Sequence, residues 1–501
     1  MLTKNKNSFF LYASILLGCL VLFNLIGRNL YRRFDLTDNK MYSLSSSSKN
    51  VVAKIDDLLT MKVYFSEDLP NELGNTKRYL QDILEEYAAH SNDNLRFYFT
   101  VPESSEDLEN EARKDGIQPV QMQVVENDKL EIKRVYLGIA LFYEDKKEII
   151  PVIQTTTGLE YLITTKIKTL VDTDKKTIGL ANLDPDNEIK TQNLSSQLSQ
   201  HYNVRNTDVA TPVDDQIDVL LVSGTSDTLD SLIASNIDSF LESGRGVLFT
   251  QSGVDTDIAL QQANAIQSDV FSFLRSYGLI LKNNLVLDRS CGRVQVQQQM
   301  GFFRMNVPME YPFLPIVQSF NENELIVNGL EQVHLFFPSE VQVDTVLSDK
   351  VVDVVDLFSS SNNSGIMEGR FMLNPDPKNN PFLRNLDQSG KLLCASSKLT
   401  SGGELILVSD SRFLSDDGGM SIPVNLVFLM NAVDYLSGDK ELISLRSREV
   451  TDRPLKKLED GSRKRWKWAN ILLPSIIIVG LGFIRIRQGN KRADILKQIY
   501  E

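Results

Sequence analysis

The side chains best suited to acid–base or metal chemistry in this chain lie in two acidic stretches. Residues 184–188 (DPDNE) space carboxylates like part of a calcium loop, and Asp410, Asp416 and Asp417 lie close together later in the chain. The first stretch lacks the glycine and the distant bidentate glutamate of a calcium loop. Turn chemistry alone accounts for Asp, Pro and Asn at such a position. We therefore expect solvated loops at both places and predict no metal site.

The cysteine count limits redox and disulfide chemistry. Cys19 lies in an apolar run near the N-terminus, so only Cys291 and Cys394 could pair in the rest of the chain. This excludes a disulfide scaffold and a cysteine-based zinc cluster. The sequence G-x-x-x-x-G-K-[ST], which would hold nucleotide phosphates, does not occur. We predict no catalytic residues and no cofactor, and any ATPase that is needed must be another subunit.

Apolar runs near both ends of the chain predict two transmembrane helices. The first run, residues 9–26 (FFLYASILLGCLVLFNLI), has about eighteen positions without a charge, the length at which a membrane span is expected. Residues 16–19 (LLGC) resemble a lipoprotein box, but the apolar residues that follow would leave a mature N-terminus that still spans the membrane. A small-residue cleavage site is also missing after the run. We interpret it as a retained anchor, with lipidation as the less favoured alternative.

The second apolar run covers residues 469–484 (ANILLPSIIIVGLGFI) and has basic residues on both sides. Basic flanks can lengthen a short span, and Trp466 and Trp468 lie where an interfacial aromatic belt would place them. We predict a linker at 446–465, a span at about 466–484 and a basic tail to 501. A buried core helix is the alternative, but it does not explain the position of the two tryptophans.

Two spans place both termini on one side of the membrane and the residues between the spans, here called the body, on the other. The charges that flank the spans conflict, so they do not decide the orientation. The tail contains the basic residues Lys491, Arg492 and Lys497, which favour a cytoplasmic C-terminus. The N-terminus, in the segment 1–33 that includes the first span, is then cytoplasmic as well. The body is therefore expected outside the cytoplasm. A net charge of −13 disfavours nucleic acid as a partner.

Hydrophobic periodicity predicts an α/β domain over residues 34–172. Serines at 43–48 supply N-cap candidates for a helix that begins where the charged segment 32–52 leaves the membrane. A β-α-β unit follows, with a helix that places Leu80, Ile83 and Leu84 on one face. The predicted elements are strands 61–65, 95–99, 122–125, 135–143 and 148–153, a short helix that ends near Gly116, and a helix at 159–171.

A second α/β domain is predicted over residues 173–445. Apolar strands alternate with amphipathic helices, which is typical of a largely parallel sheet covered by helices on both faces. Gly244 follows the second helix as a C-cap residue should. The predicted elements are strands 177–181, 204–208, 218–222, 247–251 and 405–408 and helices 194–202, 231–243 and 424–436. Residues 290–400 are less regular.

Several stretches carry a family resemblance over nearly the whole chain. They are DLTDNKMYSLS after the first span, YFSEDLP at 64–70, GIQPVQ at 116–121, YLGIALFYEDKKEIIPVI at 136–153, LEYLITTKIKTL at 159–170, residues 217–249, VLD at 286–288, LILVSDSRFLSDD at 405–417 and residues 425–448. They resemble the GldG family, the auxiliary, substrate-binding-like components of gliding-motility-type ABC transporters. One departure is Arg245, which splits a glycine pair that usually ends a helix there.

The resemblance implies a fold and a function. The fold is a thioredoxin-like domain followed by an α/β sheet domain that is amidotransferase-like and related to intraflagellar transport proteins, flanked by N- and C-terminal transmembrane helices. The function is that of a non-catalytic, two-pass subunit in the cell inner membrane, whose periplasmic platform works with a separate permease and ATPase. A periplasmic module that binds a ligand, such as a saccharide, for the same transporter is the alternative. A homo-oligomer remains open.

The residues required for the enzyme activities that such folds support in other proteins are missing from this sequence. Residues 34–172 contain no cysteine, which excludes thiol redox chemistry in that domain. The turn that would hold an amidotransferase nucleophile, Ser223 to Ser226, has neither a cysteine nor a G-x-S-x-G sequence, and His201 has no assigned geometry. The apolar stretch Gly301 to Val317 is either an exposed contact surface or, more commonly for such residues, part of the core.

Overall fold

The structure is a computed structural model, and the chain divides into two units, residues 1–451 and 452–501. The described residues are 14–18, 43–67, 69, 71–126, 129–172, 175–184, 189–258, 260–300, 303–439, 442–443, 445 and 460–500. The predicted N-terminal span at 9–26 lies outside them except for residues 14–18, which are helical and have exposed side chains. The predicted linker at 446–465 lies outside them as far as residue 459.

The N-terminal part of the first unit contains a four-stranded sheet. The elements of this part are α1 (Ser46–Ala53), β1 (Leu59–Phe65), α2 (Asn71–His90), β2 (Leu95–Thr100), α3 (Glu106–Lys114), β3 (Val120–Glu126), β4 (Lys129–Val135), β5 (Leu137–Tyr143), β6 (Lys146–Ile150) and α4 (Leu159–Val171). The strand order of the sheet is β2-β1-β5-β6, in which β1 runs parallel to β2 while β5 and β6 are antiparallel to their neighbours. The predicted strand at 135–143 was too long, because residue 135 ends β4, which pairs with β3 as a separate hairpin.

Local sequence explains how this part is assembled. Ser45 caps α1 by accepting a hydrogen bond from Ser48 N, as the serine run predicted. The carboxylate of Glu160 on α4, which is only 6% exposed, accepts hydrogen bonds from Ser45 N and Ser48 Oγ, both at 2.7 Å. The segment that enters the domain is thus fixed to its last helix. The predicted apolar face of α2 is buried, including Leu80 and Leu84.

An eight-stranded sheet forms the remainder of the first unit. The principal elements are β7 (Thr177–Asn182), α5 (Gln192–Leu198), β8 (Asn203–Asn206), β9 (Val219–Ser223), α6 (Ser231–Glu242), β10 (Gly246–Thr250), α7 (Val270–Ser276), β17 (Ser319–Phe320), β20 (Val351–Ser359), β22 (Leu392–Leu399), β23 (Glu404–Val408) and α8 (Pro423–Leu436). The strand order of the sheet is β17-β20-β22-β23-β10-β9-β7-β8. Strands β8, β7, β9, β10 and β23 are parallel to one another, and β22, β20 and β17 are antiparallel to their neighbours.

Helices cover both faces of this sheet, which confirms the predicted arrangement. On one face, α5 and α8 pack on alternate strand residues such as Leu221 and Ile406. On the other face, α6 and α7 pack on the intervening residues, such as Leu220 and Leu405. Gly244, with φ of +86°, ends α6 as predicted. Helix α5 ends at Leu198 rather than at the predicted residue 202.

Residues 254–368 contain a group of antiparallel strands, and those after residue 290 lie in the stretch 290–400 that the prediction treated as less regular. The strands of the group are β11 (Val254–Asp257), β12 (Gln262–Ala265), β13 (Leu279–Leu281), β14 (Asn284–Asp288), β15 (Cys291–Met300), β16 (Phe303–Val317), β18 (Val333–His334), β19 (Val341–Val343) and β21 (Ser364–Glu368). The stretch Gly301 to Val317 was expected to be either an exposed contact surface or part of the core, and its described residues, 303–317, include both kinds. Tyr311 and Phe313 are buried in the core, whereas Met305 is 54% exposed.

A partly buried ion-pair cluster joins α4 to the segment after α8. Lys168 Nζ lies 2.8 Å from Asp172 Oδ2 and 2.9 Å from Asp439 Oδ2. Burial acts to lower the pKa of Lys168, but the hydrogen bonds and charges of the two aspartates outweigh it and raise that pKa. Leu442 and Leu445 are buried. The ion pair between Lys168 and Asp439 thus links α4 to the segment after the eight-stranded sheet.

The second unit contains helix α9 (Asp460–Tyr500), so the last residues of the predicted linker are helical. Its segment Gly461–Arg487 is long and apolar enough to cross a membrane, and among the described residues it is the one helix that is. This segment contains the predicted span at 466–484. Trp466 and Trp468 are exposed within the unit.

Candidate functional site

A cleft opens where four parallel strands of the eight-stranded sheet end. Strands β7, β9, β10 and β23 end there, and the residues after them line a volume of about 280 Å³. Open parallel sheets bind ligands outside the carboxyl ends of their strands. We call this volume the strand-end cleft. Its lining includes Asp184, Lys190, Gly224, Thr225, Ser226, Gln251, Asp255, Ser411, Arg412, Ser415 and Asp417.

Gln251, the first residue after β10, fixes the floor of the strand-end cleft. Its buried side-chain amide donates to Thr225 O and Ser252 O, both at 2.9 Å, and its Oε1 accepts from Thr225 N at 3.0 Å. Gly224 lies against it so closely that an added Cβ would be 2.0 Å from Gln251 Oε1. The turn after β9 therefore needs glycine because another side chain occupies the space.

The rim of the strand-end cleft carries both signs of charge. Ser226 Oγ lies 3.5 Å from Asp184 Oδ2, and Asp184 N donates to Asn182 Oδ1 at 3.1 Å. Arg412 Nη2 donates to Thr256 O at 2.7 Å, which holds the guanidinium beside the cleft. Lys190 supplies a second cation. Such a rim can bind a polar ligand whose donors bond to the carboxylates and whose acceptors bond to the guanidinium and the hydroxyl.

The structure corrects the expectation that Asp410 lies in a solvated loop. Asp410 is fully buried and accepts hydrogen bonds from Phe336 N and Arg412 N, both at 2.8 Å. Burial raises its pKa to about 7, although both hydrogen bonds and the charge of Arg412 act to lower it. Asp410 thus holds the backbone at Arg412, whose side chain reaches the cleft.

The other two aspartates of this segment have separate roles. Asp416 also departs from the solvated-loop expectation, since its carboxylate accepts hydrogen bonds from Asn193 N at 2.9 Å and Leu194 N at 3.1 Å in the first turn of α5. Asp417 is exposed and lines the cleft, and a hydrogen bond from the Ser415 hydroxyl lowers its pKa. Only Asp417 matches the expectation.

The described part of the chain shows no side-chain arrangement suited to metal binding or to nucleophilic catalysis. It holds no group of three or more His, Cys, Asp or Glu side chains placed to bind a metal ion, and residues 185–188 of the DPDNE stretch lie outside it. The cleft lining described above contains no histidine to activate Ser226. His201 instead lies next to Tyr202, with ring centroids 6.2 Å apart, and burial lowers the pKa of His334 on β18.

Both described cysteines are free thiols outside the strand-end cleft. Cys394 on β22 is fully buried, and burial raises its pKa well above the usual value. Cys291 on β15 is partly exposed, and burial raises its pKa to about 11. Neither is a reactive thiolate at neutral pH.

From the sequence, the components of the cleft were considered separately, and several of them, Lys190 among them, were missed. The sequence patterns singled out residues 184–188, the turn from Ser223 to Ser226 and the 410–417 segment, and the structure brings parts of all three together. They missed Gln251 and Arg412 as well. Gln251 was recognisable as the first polar residue after a buried strand of a predicted parallel sheet, which is where such sheets carry their sites.

Comparisons with known proteins give a family for the larger part of the chain. The model of a family described as an ABC-type uncharacterized transport system, auxiliary component, matches residues 175–443, and a domain of unknown function (DUF7088) matches residues 38–142. An uncharacterized protein of Borreliella burgdorferi is 22% identical over 487 residues, which cover 92% of this chain and 94% of that protein.

Solved structures give weaker likenesses. The mmIFT52 N-terminal domain is 12% identical with a TM-score of 0.34, covering 52% of this chain and 96% of that one. A ThuA-like protein from Bacteroides uniformis is 12% identical with a TM-score of 0.30, covering 52% and 91%. These TM-scores are too low to carry an argument about this chain. The family model, in contrast, covers more than half of the 501 residues, and the protein therefore belongs to the auxiliary-component family of ABC-type uncharacterized transport systems.

Proposed function

We propose that this protein is a non-catalytic, membrane-anchored subunit of an ABC transporter of the gliding-motility type, which works with a separate permease and ATPase. The observation that carries the proposal is the order of its parts, since the domain of the auxiliary family is followed by an apolar helix at Gly461–Arg487. The stretches that resemble the GldG family give further support. The absence of a phosphate-binding sequence requires the ATPase to be another chain.

The proposed domains are a thioredoxin-like domain at 34–172 and an amidotransferase-like sheet domain at 173–445. Support for the first comes from its main elements, which follow the order β-α-β-α-β-β-α with the strands arranged β2-β1-β5-β6. Support for the second comes from its parallel strands with helices on both faces. In this proposal neither domain is an enzyme, and both form a platform for protein contacts.

The proposed topology has both termini in the cytoplasm, spans at about 9–26 and 466–484, and the platform in the periplasm. A periplasm-dependent phosphatase inserted at Asp145, an exposed residue in the turn between β5 and β6, should be active. The same reporter after Glu501 should be silent. The reverse pattern would contradict the orientation, and activity at both positions would contradict the second span.

The partners can be tested by purifying the tagged full chain in mild detergent and identifying the proteins that remain bound. We expect an ABC permease and its ATPase, with ATP hydrolysis by the complex and none by the isolated chain. Gly480→Leu combined with Gly482→Leu should reduce the retained permease, because small residues allow close packing between membrane helices. Val479→Leu is the matched control. Recovery of the chain without any ABC subunit would reject the proposal.

A second function, binding of a polar ligand by the platform, is favoured by the strand-end cleft. Its mixed lining of Asp184, Arg412 and Asp417 suits a ligand rich in hydroxyl groups, such as a saccharide. Asp184→Asn combined with Asp417→Asn should then abolish ligand-dependent stabilisation while leaving the retained permease unchanged. Loss of the permease instead would show that this surface is a protein contact.

A further inference from the structure

We propose that a second groove, between the β15–β16 hairpin and the loop at 375–386, binds an amphiphilic anion that has a phosphate or carboxylate head group on a short apolar body. The groove has a volume of about 620 Å³, within the range of small-ligand sites. It shares no residue with the strand-end cleft. The inference does not rest on the proposed permease and ATPase.

The cationic side of the groove is formed by Arg289 and Arg293. Among the described residues, the guanidinium of Arg289 has neither an ion pair nor a hydrogen bond. Arg293 Nη2 lies 3.7 Å from Glu310 Oε1, and these side chains are 67% and 70% exposed. An ion pair that exposed contributes little, so Arg293 can exchange Glu310 for a ligand anion.

The residues that line the groove have a positive balance. Asp376, between Pro375 and Pro377, already accepts hydrogen bonds from Lys378 N at 2.9 Å and from Asn379 Nδ2 at 3.3 Å. Asp288 lies close in sequence, but its carboxylate is buried and accepts hydrogen bonds from Ser290 N at 2.8 Å and from both Ser361 N and Ser361 Oγ. Glu310 is the one acid among the lining residues, against two arginines. In a chain of net charge −13, this pair of guanidinium groups is a local site for an anion.

The remaining walls are apolar. Pro308 and Pro312 of β16, Pro375 and Pro377 of the loop and the nearly buried Leu383 line the groove. Proline has no backbone N–H, so these four positions cannot donate main-chain hydrogen bonds to an added peptide strand. They can cover a short hydrocarbon body, whose burial away from water is favourable. Charge and apolar walls together therefore favour an amphiphilic anion over a peptide.

Cys291 provides a reporter because its partly exposed thiol lines the groove, whereas Cys394 is fully buried. The experiment uses the full chain with Cys19→Ser in zwitterionic nanodiscs and hexyl phosphate as the probe. Alkylation of Cys291 by N-ethylmaleimide at mildly alkaline pH is followed by mass spectrometry. We expect saturable protection, with alkylation about tenfold slower at a probe concentration of about ten times Kd. Inorganic phosphate and hexanol should protect far less.

Variants identify the residues that bind the probe. Arg289→Gln should lose most of the protection, and since the exposed guanidinium makes no hydrogen bond or ion pair in the described residues, this variant should fold normally. Arg370→Gln, which removes an exposed arginine outside the groove lining, should keep full protection. Each variant is compared with its own ligand-free rate. Unchanged protection in Arg289→Gln, or equal protection by inorganic phosphate or by hexanol, would overturn the proposal.

Discussion

Two poorly exposed carboxylates, one beside each sheet, meet different partners. Asp115, after α3, accepts hydrogen bonds from the Tyr64 hydroxyl at 2.6 Å and from Lys62 Nζ at 3.1 Å, and Lys147 Nζ lies 3.5 Å away. Asp410, after β23, accepts hydrogen bonds from two backbone amides and has only the charge of the nearby Arg412. The four-stranded sheet thus neutralises its poorly exposed Asp115 with ammonium groups, whereas the eight-stranded sheet leaves its buried Asp410 without one.

The pKa values of the two acids move in opposite directions as a result. Burial acts to raise both. At Asp115 the hydrogen bonds from Tyr64 and Lys62 and the two lysine charges outweigh burial and lower the pKa. At Asp410 burial dominates and raises the pKa to about 7. The same residue type is therefore a permanent charge in one sheet and a titrating group near neutral pH in the other, where it supports the strand-end cleft.

The largest expected effect is a change in how stability depends on pH in Asp410→Asn. Between about pH 4 and pH 7 the folded state keeps a proton on Asp410 that the unfolded state releases, because the pKa rises from 3.8 to about 7 on folding. Wild-type stability should therefore fall as the pH rises, by at most about 1.4 kcal/mol per pH unit. Asp410→Asn should lose this slope, measured by circular dichroism melting of the full chain.

Asp115→Asn is the opposite case. A lowered pKa contributes stability that is present above the ordinary value near 3.8 and is lost as the pH falls through the folded-state pKa. This variant should be less stable at neutral pH yet keep the wild-type slope between pH 4 and pH 7. A slope that persists in Asp410→Asn would show that another group titrates in this window.

A slightly smaller effect is expected from Gly224→Ala in the strand-end cleft. The added Cβ would lie 2.0 Å from Gln251 Oε1 and 2.6 Å from Thr250 O, so both the amide and the strand end must move. Overpacking of this kind should cost about 3 kcal/mol. Gly74→Ala, on α2 beside the other sheet, is the control. It has nothing within 4 Å and should stabilise by up to about 1 kcal/mol. Equal stability of the two variants would contradict the close packing at Gly224.

The periodic elements were predictable from sequence because their order comes from local patterns. Helix α4 has the predicted bounds, 159–171, and β23 with α8 forms the last parallel unit of the sheet as predicted. The antiparallel insertion was not predictable as a whole, although residues 293–297 of β15 alternate between partly buried and exposed side chains and β15 pairs with β16 in a local hairpin. Other strands pair with partners far along the chain, as β14 does with β21, and no local pattern encodes such a partner.

The candidate site was predictable only in part for a related reason. The turns at the strand ends could be located, since each follows a buried apolar strand. Their joint geometry depends on side chains from separate loops, such as Gln251 bonding to Thr225. The burial of Asp410 depends on Phe336, which belongs to the insertion whose position was unknown. A sequence interpretation that treated each acidic residue by itself therefore assigned it to solvent.

Tyr64→Phe should have an intermediate effect on the four-stranded sheet. The fully buried Tyr64 donates its hydroxyl to Asp115, and removal of one hydrogen bond to a charged group should cost about 2 kcal/mol. Tyr98→Phe, at a residue that is 53% exposed, should leave the melting temperature unchanged. If Tyr64→Phe has the same melting temperature as the wild type, the two lysines alone offset the cost of burying the Asp115 carboxylate. The difference between Asp115 and Asp410 would then come from the nearby charges and not from the tyrosine hydrogen bond.

The smallest expected effect concerns the junction between the two sheets. Lys168 pairs with Asp172 on its own helix and with Asp439 after α8, and the side chains of Lys168 and Asp439 are 21% and 17% exposed. Lys168→Met should cost about 1 kcal/mol, since partly exposed ion pairs contribute little while the aliphatic stem is retained. Lys176→Met, which breaks a more exposed pair with Asp218, is the matched control and should melt with wild type. Because Lys168 links the sheets, its loss should also broaden the thermal transition, as the two parts unfold less cooperatively. A sharp, unshifted transition would show that the buried residues around Leu442 hold the two sheets together without this cluster.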